Sequence, residues 1–415
     1  MTPRLVMLAA ALVLAASATD AWAEPGPQKQ PKSAPAAVQE PPLQLYLAKG
    51  GANACGEECS EWIAAEGYFD RDSAARVQAF LRRHAGRKLA IYFHSPGGVQ
   101  AAALAIGRLL RERGMTAGVA KTVPRACTSA VDRSEACRAA KRSGQPVAAE
   151  WRPDANCSSA CVYALIGAKV RHVPPTARLG VHSGRLIQIQ VSADGRVKTS
   201  WPQQLSSRDQ AKVAEFDAQL RRYVREMGID AGLFEAAAKV PYEKAHYLSR
   251  DEIAAFGIDA REFQETPWVV VDAAPNSIFV GKSFVEAKGA DHKEFRMSLI
   301  YLSCAGPRRA AIFYSRGLAT GEAGKAVKLI LSIGGQNVDV SQTGHASRID
   351  AFDTGGMFAK SQSYAPFDLF DAAAATGTIE VIEADPWTLA KPPRVTTLST
   401  QGLAEGIKVL REKCA

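Results

Sequence analysis

Short apolar runs alternate with segments of helical spacing from Leu43 to about Phe263. Leu89 to Phe93 reads as a buried strand, and Val99 to Arg113 then carries apolar residues at helical spacing up to a stop at Gly114. Met115 to Ala120 is the next strand candidate. Cys161 to Ile166 reads as a buried helix, and Ala218 to Val240 as helix broken at Gly228, Ile229 and Asp230. Such alternation predicts an α/β fold, a parallel sheet covered by helices. After about Glu265 the pattern changes to successive strand-like runs: Trp268 to Val271, Ser298 to Ser303, Ala310 to Tyr314, Val327 to Ile333 and Thr378 to Ile382. Turn residues such as Gly334, Gly335, Gln336 and Asn337 separate them. One convincing helix closes the chain, Gly402 to Lys413, with Leu403, Ile407, Val409 and Leu410 as its apolar positions. The expected organisation is an α/β domain over 43–265 and a β-rich domain over 266–415.

The first residues belong to neither domain. Residues 1–23 have the form of a secretory signal: Arg4, an apolar stretch from Leu5 to Ala18, then Ala21, Trp22 and Ala23. The stretch is too short to span a bilayer, and no later segment approaches 18 uninterrupted apolar residues. The expected location is therefore periplasmic or secreted. Residues 24–42 place Pro25, Pro27, Pro31, Pro35, Pro41 and Pro42 among Gln, Lys and Ala, a composition that cannot bury a core and reads as a linker.

Composition narrows the function classes. The 415 residues suggest about two or three domains. With 47% apolar and 22% charged residues, the chain is neither wholly disordered nor collagen-like. The net charge of +9 is scattered in short groups such as Arg82-Arg83 and Arg221-Arg222, without the aromatic interleaving of a nucleic-acid groove. It mildly favours acidic substrates or envelope surfaces. An even count of 8 Cys in an exported chain favours disulfides. They fall as Cys55 and Cys59, Cys127 and Cys137, Cys157 and Cys161, with Cys304 and Cys414 far apart. Cys157 and Cys161 either bridge each other or separately tie down the insertion bearing Cys127 and Cys137. No CxxC pair and no His near the Cys argues for zinc, so no metal is expected. No phosphate-loop motif is present, and no cofactor is expected.

Three segments carry candidate chemistry. His94-Ser95-Pro96-Gly97-Gly98-Val99 is a strand running through a glycine turn into a helix, where backbone amides can point outward. Asn156-Cys157-Ser158-Ser159-Ala160-Cys161 leads small polar residues into an apolar helix. Leu179-Gly180-Val181-His182 ends a short strand on an imidazole. Each has a plain structural alternative: a tight turn, an N-cap and a packed histidine. Cys157 or Cys161 as nucleophile is disfavoured in an oxidising compartment. His94 is read as a hydrogen-bonded, buried side chain.

In order and spacing the three segments resemble the Clp protease proteolytic subunit family of the crotonase-like superfamily, whose core is a spiral of parallel sheet. Ser95 to Val99 matches the family's oxyanion turn literally. Ser159 takes the nucleophile position, and His182 follows at a separation similar to that of the family's base. Tyr247-Leu248-Ser249 through Gly257-Ile258-Asp259 resembles a fourth family segment. The resemblance covers about Leu43 to Phe263, with an insertion near Arg125 to Pro153.

It implies a serine peptidase acting on peptides or unfolded protein, with Ser159 as nucleophile, His182 as base, and the amides of Gly98 and Ala160 as the oxyanion hole. With no phosphate-loop motif and an exported compartment, any activity is expected to be ATP-independent. Ser158 is the rival nucleophile. The family's catalytic Asp falls at Ala245, which leaves Glu243 as candidate third member. It equally leaves open a Ser/His dyad, or a catalytically impaired scaffold or binding protein of the periplasm. Family members assemble into rings, so a homo-oligomer is an expected partner.

Overall fold

A computed structural model describes residues 41–128, 132, 134–184, 188–191, 197–200, 205–274, 277–288, 294–318, 328–341, 346–348, 357–384 and 393–414. The signal at 1–23 and the linker, except Pro41 and Pro42, lie outside them. Among the described residues no helix is long and apolar enough to cross a membrane.

The first half builds a sheet from β1 (Gln44–Lys49), β2 (Glu61–Glu66), β3 (Ile91–His94), β4 (Thr116–Val119), β5 (Lys121–Pro124), β6 (Val147–Arg152) and β8 (Val170–His172). The strand order is β5-β6-β1-β2-β3-β4-β8, with β2, β3, β4 and β8 mutually parallel. The apolar run at β3 becomes its centre because both faces are covered: Ile91, Tyr92 and Phe93 are all buried. Two of the covering helices are α1 (Ser73–Arg83) and α2 (Gln100–Glu112). Helix α2 presents Ala102, Ala103, Leu104, Ile106 and Leu110 to the core, and the chain turns at Gly114 with φ +63°. The Cys-bearing insertion contributes α3 (Glu135–Arg142) and the strand β6, which pairs parallel to β1. Its Lys141 donates to the buried carboxylate of Glu66, which also accepts from the Tyr46 hydroxyl and the Thr122 amide.

A second, smaller sheet sits beyond the end of β3. It consists of β7 (Asn156–Ser158), β9 (Arg178–Val181) and β12 (His246–Tyr247), in the order β12-β9-β7. A parallel bridge between Ser95 and Cys157 joins it to the main sheet. Helix α4 (Ala160–Ile166) follows β7 with every residue buried. β10 (Gln188–Val191) and β11 (Val197–Ser200) form a separate antiparallel hairpin. Helices α5 (Ser207–Glu226) and α6 (Gly232–Ala238) replace the interrupted helix expected over 218–240, and α7 (Arg250–Ala255) precedes Asp259.

Asp259 accepts from the Val173 amide at 2.9 Å and from Arg261 at 2.7 Å. Burial pushes its carboxyl up, but Arg261, Arg250 and that amide outweigh it and leave Asp259 below the usual carboxylate range.

From Phe263 on, the structure is β-rich. Strands Phe263–Glu265, Val269–Ala274, Ser277–Lys288, Glu294–Cys304, Arg309–Gly317, Ala346–Arg348 and Met357–Pro366 make one antiparallel sheet. Gln336–Asp339, Lys328–Ile333, Thr378–Ala384 and Arg394–Ser399 make another. Their core, which includes Phe284, Leu302, Phe370 and Leu410, is separate from that of the first half. The chain is thus α/β with a parallel-dominated sheet, followed by a β-rich region. The expected closing helix is Leu403–Cys414.

A further helix, Phe367–Thr376, was not legible among the strand runs. It buries Phe367, Leu369, Phe370 and Ala373 and stops at Gly377 in the left-handed region. All eight cysteines are bridged, as Cys55–Cys59, Cys127–Cys137, Cys157–Cys161 and Cys304–Cys414.

Candidate active site

The glycine turn after β3 is held from both sides. Ser95 donates its N–H to the Asn156 carbonyl at 2.8 Å and accepts at its own carbonyl from Ser158 at 3.0 Å. Its buried hydroxyl accepts from the Gly97 amide at 3.0 Å. On the other flank Phe69 donates to the Gly97 carbonyl and accepts from Val99, at 2.8 and 2.6 Å. That pairing leaves the Gly98 N–H on the side away from Phe69. Gly97 and Gly98 have φ of +107° and +140°, where an L side chain is strained.

Gly97 backs directly onto the next segment. A Cβ there would lie 2.7 Å from the Ser159 Cβ and 3.1 Å from the Ala160 nitrogen. The two candidate oxyanion donors, Gly98 and Ala160, therefore belong to adjoining stretches of backbone. As first residue of α4, Ala160 has no intrahelical acceptor for its N–H.

Ser159 occupies the N-cap position of α4, but its hydroxyl does not cap the helix. Its φ of 55° and ψ of −123° are held by its own N–H on the Gly180 carbonyl at 2.7 Å and by its carbonyl, which accepts from Val162 at 3.1 Å. Its side chain makes no capping hydrogen bond. Ser158, the rival, donates its hydroxyl to the Asn156 side chain at 2.9 Å and packs over Gly180. The Cys157–Cys161 disulfide links the last strand residues to the first helical turn, one bridge enclosing Ser159, with both cysteines fully buried. Neither sulfur is a free thiolate.

Holding a serine at this φ and ψ costs about 1–3 kcal/mol, so a stability test follows. Ser159→Gly and Ser159→Ala both delete the hydroxyl, but only glycine relaxes the backbone. The glycine variant is expected to be about 1 kcal/mol more stable than the alanine variant in urea unfolding. The reverse order would mean that the turn is unstrained.

His182 arrives from β9. Parallel pairing of Ser158 with Gly180 carries Ser159 and His182 out of the same end of the small sheet. The imidazole is half-buried, and the Tyr242 ring meets it edge-on at 5.0 Å between centroids. No hydrogen bond joins the Ser159 hydroxyl to His182 in the free chain. Nor does a carboxylate among the described residues hydrogen-bond His182. Its Nδ1 instead lies 2.8 Å from the Ser183 carbonyl.

Antiparallel pairing joins His246 to Val181 and Tyr247 to Gly180, and Ala245 directly precedes the paired residues. Glu243 is exposed, and the structure does not bring it onto His182. The carboxylate that does belong to this corner, Glu252, is committed to His246 at 2.8 Å and to the Ser249 amide. His94 accepts the Asn156 amide at its Nδ1, 3.2 Å away, and supports the turn.

Sequence reasoning missed Tyr242, whose loop offers no periodicity, and the Ser183 carbonyl, since a backbone acceptor has no sequence signature.

Two other features fall outside this site. Cys127, Asp132 and Cys137 cluster as metal ligands do, but the two cysteines are bonded to each other. A cavity of about 1100 Å³ is lined by Glu61, Leu89, Ala90, Met115 and Thr116, at the amino ends of the parallel strands. The glycine turn lies at their carboxyl ends.

No protein-family model matches the chain, and no curated protein matches it. Among solved structures it is similar to a variant of the 1510-N membrane-bound stomatin-specific protease, at 15% identity over 47% of this chain and 75% of that one, with a TM-score of 0.29. ClpP1 from Listeria monocytogenes matches at 13% identity over 46% of this chain and 85% of its own, with a TM-score of 0.28. Another variant of the stomatin-specific protease, in complex with a substrate peptide, matches at 16% identity over 45% and 66%, with a TM-score of 0.26.

Proposed function

We propose that this chain is an exported serine hydrolase that cleaves peptides or unfolded protein segments by acyl transfer, without ATP. The observation that carries the reading is the backbone of Ser159: a non-glycine residue at positive φ, with an uncapped hydroxyl, packed on a glycine turn. Strain of this kind persists only where the surroundings enforce it, and it concentrates at reacting groups.

In the proposed reaction the Ser159 Oγ attacks the carbonyl carbon while the Nε2 of His182 takes its proton. The oxyanion that forms is held by the N–H groups of Gly98 and Ala160, each worth roughly 3 to 4 kcal/mol at the transition state. His182 returns the proton to the departing amine, and a water then releases the acyl group from Ser159 by the same route. The Ser–His contact closes as substrate enters, since such contacts are often open in free enzymes. Full bridging of the cysteines supports an oxidising compartment, and family resemblance supports a homo-oligomer.

A fluorophosphonate probe tests the assignment. The mature protein is expected to be labelled; Ser159→Ala and His182→Ala are expected to lose the label, and Ser158→Ala to keep it. Labelling that survives in Ser159→Ala removes Ser159 as nucleophile.

A second reading, a catalytically impaired scaffold or binding protein, is favoured by one observation: Ala245 stands at the position where the family resemblance expects the triad acid. Absence of labelling over a wide pH range selects it.

A further inference from the structure

We infer that the main-chain carbonyl of Ser183 takes over the orienting task of a triad carboxylate, so that His182 is held as a carboxylate-free base by its own downstream peptide. This deepens the proposed hydrolase reading. A carbonyl oxygen can only accept, so the 2.8 Å contact requires the proton of neutral His182 to reside on Nδ1. The lone pair then sits on Nε2, the nitrogen a general base must offer to a serine hydroxyl.

The Ser183 N–H donates to the Val240 carbonyl at 2.8 Å, which ties down the peptide preceding that carbonyl, and Tyr242 packs edge-on against the imidazole. Two of the triad acid's services are thus supplied by neutral groups: selection of the tautomer and restraint of the ring. The third, charge stabilisation of the imidazolium, is not. Among the described residues the Tyr242 ring packs on His182; His246, in register with the preceding Val181, is held by Glu252; and Glu243, Lys244 and Ala245 are exposed. The step itself is unchanged: Nε2 gains the Ser159 proton as the Oγ–carbon bond forms, and the Nδ1 proton stays in place.

The prediction separates orientation from charge. In nitrogen-15 correlation spectra of the full chain, with the signal assigned by its loss in His182→Gln, the neutral ring is expected to carry its proton on Nδ1. A proton on Nε2 would overturn the inference. This arm does not depend on whether Ser159 is labelled, so the inference and the proposed function can fail separately.

Ala245 is exposed and directly precedes the strand whose His246 pairs with Val181, so a carboxylate placed there is expected to supply the missing charge. Ala245→Asp is expected to speed fluorophosphonate labelling by about tenfold or more, part of the roughly 10⁴ that a triad acid is worth. Ala245→Asn, an acceptor without charge, should leave the rate within about twofold of the parent. Equal acceleration by both variants would mean that orientation is lacking in the parent, and would also overturn the inference.

Discussion

Gly97→Ala is expected to lose probe labelling by at least about 10³-fold and to destabilise the fold by about 3 kcal/mol or more. The added methyl would lie 2.6 Å from the Ser158 carbonyl oxygen, 2.7 Å from the Ser159 Cβ and 3.1 Å from the Ala160 nitrogen, at a φ of +107°. None of these atoms can give way cheaply. The Ser158 oxygen and the Ala160 nitrogen are main chain, and Ser159 is pinned by Gly180, Val162 and the Cys157–Cys161 bridge. Relief of the clash therefore moves the nucleophile, the oxyanion donor, or both.

Gly98→Ala is a useful contrast, because its methyl would strike the Phe69 backbone at 2.2 Å on the opposite flank. It should cost similar stability while acting on Ser159 only through the turn. Urea unfolding and labelling rates measured together check both variants. A Gly97→Ala protein that folds and labels like the parent would show that the two segments are not packed as described.

The second large effect is expected from the bridge between Cys304 and Cys414, which spans a sequence separation of 110. Replacing both cysteines with serine should lower the unfolding free energy by about 4–5 kcal/mol, because an open loop of that length gains much entropy in the unfolded chain. The bridge ties the end of the strand Glu294–Cys304 to the end of the closing helix, whose Leu403, Ile407 and Leu410 lie in the second core. Undocking of that helix would expose them. The Cys55–Cys59 bridge, at a separation of 4, is the internal control, and its removal should cost about 2 kcal/mol on the same entropic scale. Equilibrium denaturation with a probe in the second half, such as Trp268, distinguishes local undocking from global loss.

Several site elements were legible because their causes are local. The apolar run ending at Phe93, the adjoining glycines at 97 and 98, and the small residues before an apolar helix each follow from burial or backbone sterics along a few residues. The helix at 367–376 was not legible among strands, since its short alanine-rich run resembles no strand or long amphipathic pattern until its phenylalanines find the second core. The choice between Ser158 and Ser159 could be argued from resemblance alone. Their different bonding, one hydroxyl spent on Asn156 and the other uncapped, exists only once β7 has paired with β9.

The sequence by itself determined the alternation that makes a parallel sheet, the change to a β-rich second half, the glycine turn, and which residue types stand near it. Only the folded chain shows that Cys157 bridges Cys161, that Glu252 turns to His246, and that a peptide carbonyl meets the Nδ1 of His182. The physical reason is range. Local patterns record what a residue needs from solvent and from its own backbone, whereas partners separated by tens of residues are chosen by strand register, which no short stretch of chain contains.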